Sequence, residues 1–282
     1  NMTSSDSFKS IINNYSTLYW HYGPIIHTKE HNKEIILSIL HALKNFSKKN
    51  NVLIINGSFI PNSKNIHDKQ FSEMSYGNTK WDTWITDLKP DIDILYKLLH
   101  NKTRYDIRKG EKNNFNFEIV NDRNVLNEWM EIKYSDNKQK DEIIKKNEKF
   151  NDFCWDILYK SGFEKMYVAR LNGEIVSGIT NKLFNQNVIQ HSVINTKSKL
   201  QGGSFLTWNA IKWSKENNFL TYDVGGANPN PISEKEKGIR HYKSKWNGNK
   251  LQFNIYTNIT NKTKWKISKV INNPTLIFKK FF

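Results

Sequence analysis

Cysteine is almost missing. Cys154 is the single one in 282 residues, so an internal disulfide is excluded and a reducing cytoplasm is the expected setting. Its neighbours Phe153, Trp155, Ile157 and Leu158 predict a buried core thiol, and with no base beside it in sequence it is not read as a nucleophile. No run of about 18 apolar residues occurs, and the opening Asn1-Met2-Thr3 has no signal-peptide core. His21, His41, His67, His100, His191 and His241 give no paired metal-ligand pattern with a third ligand, and on that reading no metal is expected. Acidic residues are short against basic ones, 27 against 43, for a net charge of +16. That excess favours an anionic partner such as RNA, a nucleotide-linked substrate or an acidic membrane surface. Its even spread along the chain also fits plain solubilising charge.

What is present is enough apolar material to fold, 37% hydrophobic with 13% aromatic, in a length that suits two domains. Ile36, Ile39, Leu40, Leu43 and Phe46 recur at helical spacing within 33–49, and Val52-Leu53-Ile54-Ile55 follows as a short buried strand. A polar loop spans 61–70. Pro90-Asp91 opens a helix carrying Ile92, Leu95, Leu98 and Leu99. The basic stretch from Lys102 to Lys109 continues this helix or kinks at Gly110, with Arg104, Arg108 and Lys112 on one cationic face. The second half reads as a strand over 115–120, helices over 124–134 and 141–159, then strands over 166–171, 174–184 and 188–194. Asn172-Gly173 supplies the hairpin signal. A helix from Gly202-Gly203, a strand over 220–224, a helix over 237–246 and a strand over 250–256 complete the order β-β-β-α-β-α-β, which is that of the N-acetyltransferase core. No solenoid-type repeat is visible.

Three stretches carry candidate chemistry. Lys199-Leu200-Gln201-Gly202-Gly203-Ser204 is basic and flexible ahead of a helix, where backbone N–H groups receive phosphate; a plain strand-to-helix turn explains it equally. Tyr222-Asp223-Val224-Gly225-Gly226 ends a strand with paired glycines that allow a close backbone approach. There Asp223 either orients an acceptor amine or holds a turn. Lys237 to Gly248 sets cations beside aromatics, including Tyr242-Lys243, and suits neutralisation of phosphate or of an oxyanion; a solvated basic helix is the bland reading.

Four segments, taken in order, resemble the Fem-type peptidoglycan aminoacyltransferases of the N-acetyltransferase superfamily. They are Tyr22-Gly23-Pro24-Ile25-Ile26, Trp81 to Leu88, His100 to Lys109, and Tyr222 to Gly226 with Lys237 to Gly248. The resemblance implies an α+β (α/β) chain of two N-acetyltransferase-like domains, with mixed central sheets flanked by helices. The domains are set at 1–113, degenerate, and 114–260, the acyltransferase, followed by a basic aromatic tail over 261–282. It implies direct transfer of an acyl group, usually aminoacyl from charged tRNA, to an amine of a nucleotide- or lipid-linked envelope precursor, with no covalent enzyme intermediate and no cofactor besides the donor. Lys243 and Asp223 are the expected catalytic residues. Arg104, Arg108, Tyr242, Gly225 and Gly226 are expected at the substrate, and Lys199, Gly202, Gly203 and Ser204 at the donor. The long charged coiled-coil arm of the longest members does not fit between Asn124 and Ser161, which leaves coenzyme A open as the donor carrier for an amino-sugar N-acyltransferase. The third reading is a non-catalytic RNA- or membrane-binding protein, with the tail lying on an anionic membrane or folding as a docked helix.

Overall fold

The computed structural model describes residues 16–24, 26, 32–61, 67–134, 148–195 and 202–272. The chain forms two compact units, one made of Asn1–Trp81 with Gln252–Phe282 and the other of Asp82–Leu251.

The first unit is a small βαβ arrangement. Strand β1 (Ser16–Trp20) pairs in parallel with β2 (Val52–Ser58), and helix α1 (Asn32–Lys49) makes the crossover. Parallel neighbours require such a connection. The apolar stripe of α1 buries Ile36 and Leu40 against Val52, Ile55, Phe71, Tyr76 and Tyr256, while Glu34 in its first turn and Lys48 and Lys49 in its last suit the helix dipole. Asp68–Glu73 forms the short helix α2, where the sequence predicts a polar loop running on to Gln70. The edge of β2 is completed by a C-terminal strand, β9 (Asn249–Ile259), antiparallel to it from Ile54↔Ile259 to Ser58↔Ile255. Helix α8 (Lys262–Asn272) follows; the rest of the aromatic tail lies outside the described residues. Among those residues no helix is long and apolar enough to cross a membrane.

The second unit carries a mixed sheet. Its strands β3 (Gly77–Asp87, entering the unit at Asp82), β8 (Thr221–Asp223), β7 (Asn187–Asn195), β6 (Glu174–Phe184), β5 (Glu164–Leu171) and β4 (Asn116–Ile119) lie side by side in that order. Every pair is antiparallel except β7–β8, which is parallel. Helix α6 (Gly202–Glu216) makes the crossover between β7 and β8, and α7 (Glu234–Ser244) follows β8. Helices α3 (Ile92–Leu98), α4 (Asn101–Lys112) and α5 (Arg123–Lys133) precede the hairpins. Both faces of the sheet are covered. Along β5, Tyr167 and Ala169 join a core with Ile107, Leu206, Ile211, Tyr222 and Trp246, whereas Met166 and Val168 join another with Leu126, Trp129 and Met130 from α5. Each such apolar side chain contributes about 1.5–3 kcal/mol on full burial.

The observed run β5-β6-β7-α6-β8-α7-β9 matches the expected element order. Asn172 and Gly173 both take positive φ in the β5–β6 turn, as a type I′ hairpin requires. Four details differ. The basic stretch does not continue α3 or kink at Gly110: the chain breaks at extended Leu99, and His100 caps a new helix by accepting from Lys102 N at 3.1 Å. Gly110 lies inside α4 because α6 passes there, and a Cβ on it would come 2.7 Å from Phe205 Cβ. Of the helix expected over 141–159, residues 141–147 lie outside the described residues; its end closes in a π-helical turn, Trp155–Tyr159, and Cys154 before it is half-exposed rather than a core thiol. Burial raises the pKa of Cys154 above the ordinary thiol value, Glu164 adds to this and Lys182 opposes it. Finally, the borders between units fall at 81/82 and 251/252 and not at 113/114 and 260/261. Residues 101–115 pack into the second unit through Ile107, Phe115 and Phe205, and most of β9 belongs to the first through its pairing with β2.

Candidate functional site

The parallel pairing of β7 and β8 runs from Asn187↔Thr221 only to Ile189↔Asp223. Beyond it β7 continues to Asn195, still paired with β6, while the chain after β8 turns away through Gly225 and Gly226. The strands therefore part at their carboxyl ends, where ligands bind in α/β sheets. β7 also carries a bulge here: Thr180 faces Ser192 and Asn181 faces Gln190, so His191 is the extra residue, an irregularity that recurs beside active sites. The parting opens a cleft of about 580 Å³, lined by Gln190 to Val193 and Asn195, by Val224, and by Lys235, Gly238, Ile239, Tyr242 and Lys243 of α7.

Lys243 is half-buried and its Nζ donates to Gly226 O at 2.7 Å. Burial lowers its pKa to about 8, with Asp223 opposing the shift. The ammonium is thus a cation close to losing its proton at neutral pH, in the wall of a cleft. Gly225 has φ +81°, and a Cβ there would come 2.7 Å from Gln190 O and 3.1 Å from Lys243 Nζ; only glycine lets this turn approach both. Asp223, 2% exposed, accepts from Gly225 N at 2.7 Å and from Thr83 Oγ1. It lies behind the turn rather than on the cleft wall.

A second buried carboxylate anchors α7. Asp82 is fully buried and pairs with Arg240 at 2.6 Å and Lys250 at 3.1 Å. Burial pushes its pKa up, yet the hydrogen bonds and charges of Arg240 and Lys250 outweigh this and hold it below the usual carboxylate range. The capping box at Ser233 and Glu236 fixes the start of the helix. At its far end Lys245 O accepts from His100 N at 3.2 Å and Thr103 Oγ1 at 3.4 Å. Lys243 is held in place from both ends of its helix.

Behind the cleft-lining Gln190 and Tyr242 lies a polar network. Tyr242 OH lies 2.9 Å from Thr207 Oγ1, Thr207 donates to Gln190 Oε1 at 3.2 Å, Tyr222 OH donates to the same oxygen at 2.9 Å, and Asn181 Nδ2 donates to Tyr222 OH at 3.2 Å. Burial pushes Tyr242 up to about 12, against the hydrogen bond with Thr207, and raises Tyr222 further; both phenols stay protonated.

Of the residues singled out in the sequence, Lys243 and Tyr242 line this cleft, Gly225 and Gly226 form the turn beneath Lys243, and Asp223 supports that turn. Gly202, Gly203 and Ser204 open α6 beside it. A Cβ on Gly202 would meet Ser177 Cβ at 2.7 Å and one on Gly203 would meet Asn195 Oδ1 at 2.9 Å, so close packing on β6 and β7 already accounts for both glycines. Lys199 lies outside the described residues. Arg104 and Arg108 are not brought to the cleft: the Arg104 guanidinium folds back onto Lys97 O and Asn101 Oδ1, and Arg108 is exposed on α4. Sequence reasoning missed Asp82, Thr83, Arg240, Gln190 and Thr207. Asp82 and Thr83 lie in the Trp81–Leu88 segment and Arg240 in Lys237 to Gly248, but the sequence alone gives them no role; Gln190 has a signal as an amide inside the apolar strand Val188-Ile189-Gln190.

No family model and no curated protein matches this sequence. Solved structures do match in fold. FemX superposes with a TM-score of 0.60 at 13% identity over 86% of this chain and 81% of that one. A tandem GNAT protein from the clavulanic acid biosynthesis pathway gives 0.55 at 8% identity over 84% and 73%, and L-PGS from Bacillus licheniformis gives 0.53 at 14% over 90% and 81%. The chain has the fold shared by FemX and the GNAT proteins.

Proposed function

We propose that this protein is an acyltransferase that forms an amide, passing an aminoacyl group from charged tRNA to an amine of a nucleotide- or lipid-linked envelope precursor. The observation that carries this reading is the cleft at the end of the β7–β8 pairing with Lys243 in its wall. The FemX-like fold supports the acyltransferase class, and the net charge of +16 suits a polyanionic donor.

The donor carbonyl sits beside Lys243 and the bulged β7 backbone. The acceptor amine attacks the carbonyl carbon, the new C–N bond forms, and negative charge develops on the carbonyl oxygen. The half-buried Lys243 ammonium meets that charge, and a fixed cation there counts for more than in solution. The tetrahedral intermediate then expels the ribose oxygen, and the proton released by the amine ends on that leaving group. Asp223 touches no reacting atom in this scheme; it holds the Gly225 turn that receives Lys243.

Mass spectrometry of products tests the reading, with nucleotide-linked amino sugars and muropeptides as acceptors. A charged-tRNA mixture that gives an acylated product lost on ribonuclease treatment supports it. Product only with acyl-coenzyme A favours a second reading, an amino-sugar N-acyltransferase, in which the N-terminus of α6 would be the group to receive phosphate.

A further inference from the structure

The polar network at the cleft contains one group that the acyl-transfer scheme leaves unused. Gln190 is 4% exposed and lines the cleft. Its Oε1 accepts from both the Thr207 and Tyr222 hydroxyls, which orients the amide: oxygen toward the hydroxyls, NH2 away from them. The Tyr222 phenol keeps its proton; Asn181 sits behind it with Nδ2 at 3.2 Å and Oδ1 at 3.4 Å, and the shorter path for the phenol proton is to Gln190 Oε1 at 2.9 Å. The amide nitrogen Nε2 has no hydrogen-bond partner among the described residues. A buried donor left unmet is costly, and here it belongs to a residue that lines the cleft.

We infer that Gln190 selects the acyl group, donating from its amide to an oxygen carried on the acyl side chain, so that the preferred donors bear a hydroxyl or carbonyl acyl side chain rather than an apolar one. This rests on the acyltransferase reading. The side chain, not the reacting carbonyl, is the group assigned to Gln190 because of depth. Lys243 is half-exposed in the wall, whereas Gln190 lines the cleft at 4% exposure and is backed by Thr207 and Tyr222, both fully buried behind it. A carbonyl stationed at Lys243 leaves the acyl side chain as the part that reaches further in. A site built to hydrogen-bond such an oxygen discriminates strongly against the isostere that lacks it, because the amide is then left unpaired.

The test needs no acceptor. Binding of 3′-(threonylamido)adenosine is compared with its valyl isostere, and 3-hydroxybutyryl-coenzyme A with isovaleryl-coenzyme A, by calorimetry on the full chain. The hydroxyl member of at least one pair binds about tenfold or more tightly to the wild-type protein. Gln190→Glu keeps the oxygen that Thr207 and Tyr222 need while removing the NH2, and Gln190→Met removes both; each brings the ratio to near one with binding of the apolar member retained. Lys243→Met leaves the ratio as in wild type. A ratio near one in wild type, a ratio that survives both Gln190 variants, or an equal loss for both members of a pair overturns the inference, the last because it marks a contact to the shared carbonyl. A Gln190-dependent ratio without any transfer to the acceptor panel upholds the inference and removes the catalytic reading. Transfer without discrimination does the reverse.

Discussion

At the scale of single residues, the chemistry converges on Lys243. If its ammonium stabilises the oxyanion, Lys243→Met lowers kcat/KM by about 10²–10³-fold while the fold is kept, the range seen when one such donor is removed. Its pKa of about 8 sets a sign. The side chain is charged below that pH and neutral above it, so the rate falls as pH rises through 8. Lys243→Arg moves this falling limb upward beyond the measurable range, because guanidinium does not titrate there. A pH–rate profile of the two enzymes decides the matter: a limb at the same pH in both sinks the assignment. The same shift acts on stability with the opposite slope. Between about 8 and the ordinary value of 10.5 the unfolded chain holds a proton that the folded one has released, so stability rises with pH across that window. Gly225 gives the second residue-scale expectation. Gly225→Ala meets both positive φ and the contact at 2.7 Å with Gln190 O, and it costs about 2 kcal/mol or more in denaturant unfolding, of which 1–2 comes from the left-handed backbone alone. An unchanged unfolding midpoint would mean that residue 225 neither holds the left-handed conformation nor lies against the Gln190 carbonyl.

At the scale of elements, the placement of α7 depends on Asp82. Removing Arg240 takes away one of the two cations that pair with this fully buried carboxylate, so Arg240→Met is expected to destabilise by about 2–4 kcal/mol, toward the lower end for a broken buried pair because Lys250 remains. The lowered pKa of Asp82 means that its contribution is present above the unfolded carboxylate value of about 3.9 and is lost as pH falls through the folded one. Arg240→Met raises the folded value, so acid unfolding begins at higher pH. Urea unfolding between about pH 3 and pH 7 measures both, and parallel curves for the two proteins would refute the linkage. This network also explains what the sequence left illegible. The β5–β6 hairpin could be read because its turn is local, Asn172-Gly173 between two apolar runs. Strand β3 could not: Asp82, Thr83 and Trp84 are buried in succession, so the two-residue alternation that marks a half-buried strand is absent, and a carboxylate in a core argues against a strand until its partner is known. That partner is 158 residues away, and the partner of Thr83 is 140 away. The Arg104–Arg108 face erred for the same reason in reverse. Helical spacing put the two on one surface, but nothing in the spacing told that the end of α3 would take up the Arg104 guanidinium.

At the scale of the whole molecule, chain order and compact units diverge because β9 returns to pair with β2, a contact between the last strand and an early one that no local pattern announces. The element order of the second unit was legible because each strand and helix carries its own periodicity, whereas the unit borders depend on long-range pairing. Net charge, by contrast, is a property of the whole chain and can be read from composition alone. With the +16 of this sequence, binding of a polyanion releases condensed counterions, and affinity then falls linearly with salt on a logarithmic scale. A protein that neutralises about 6–10 phosphates loses about 10³–10⁵ in affinity between 50 and 200 mM salt, and even half as many contacts leaves a slope easily measured. Coenzyme A carries few phosphates, so its slope is shallow. Filter binding of charged tRNA and of an acyl-coenzyme A across that salt range therefore separates the donors on physical grounds independent of turnover. A steep slope for tRNA that is unchanged in Lys243→Met is expected if the bulk of the contacts lie away from the reacting centre. A slope that collapses in that single variant would instead assign Lys243 to phosphate binding and remove it from the oxyanion.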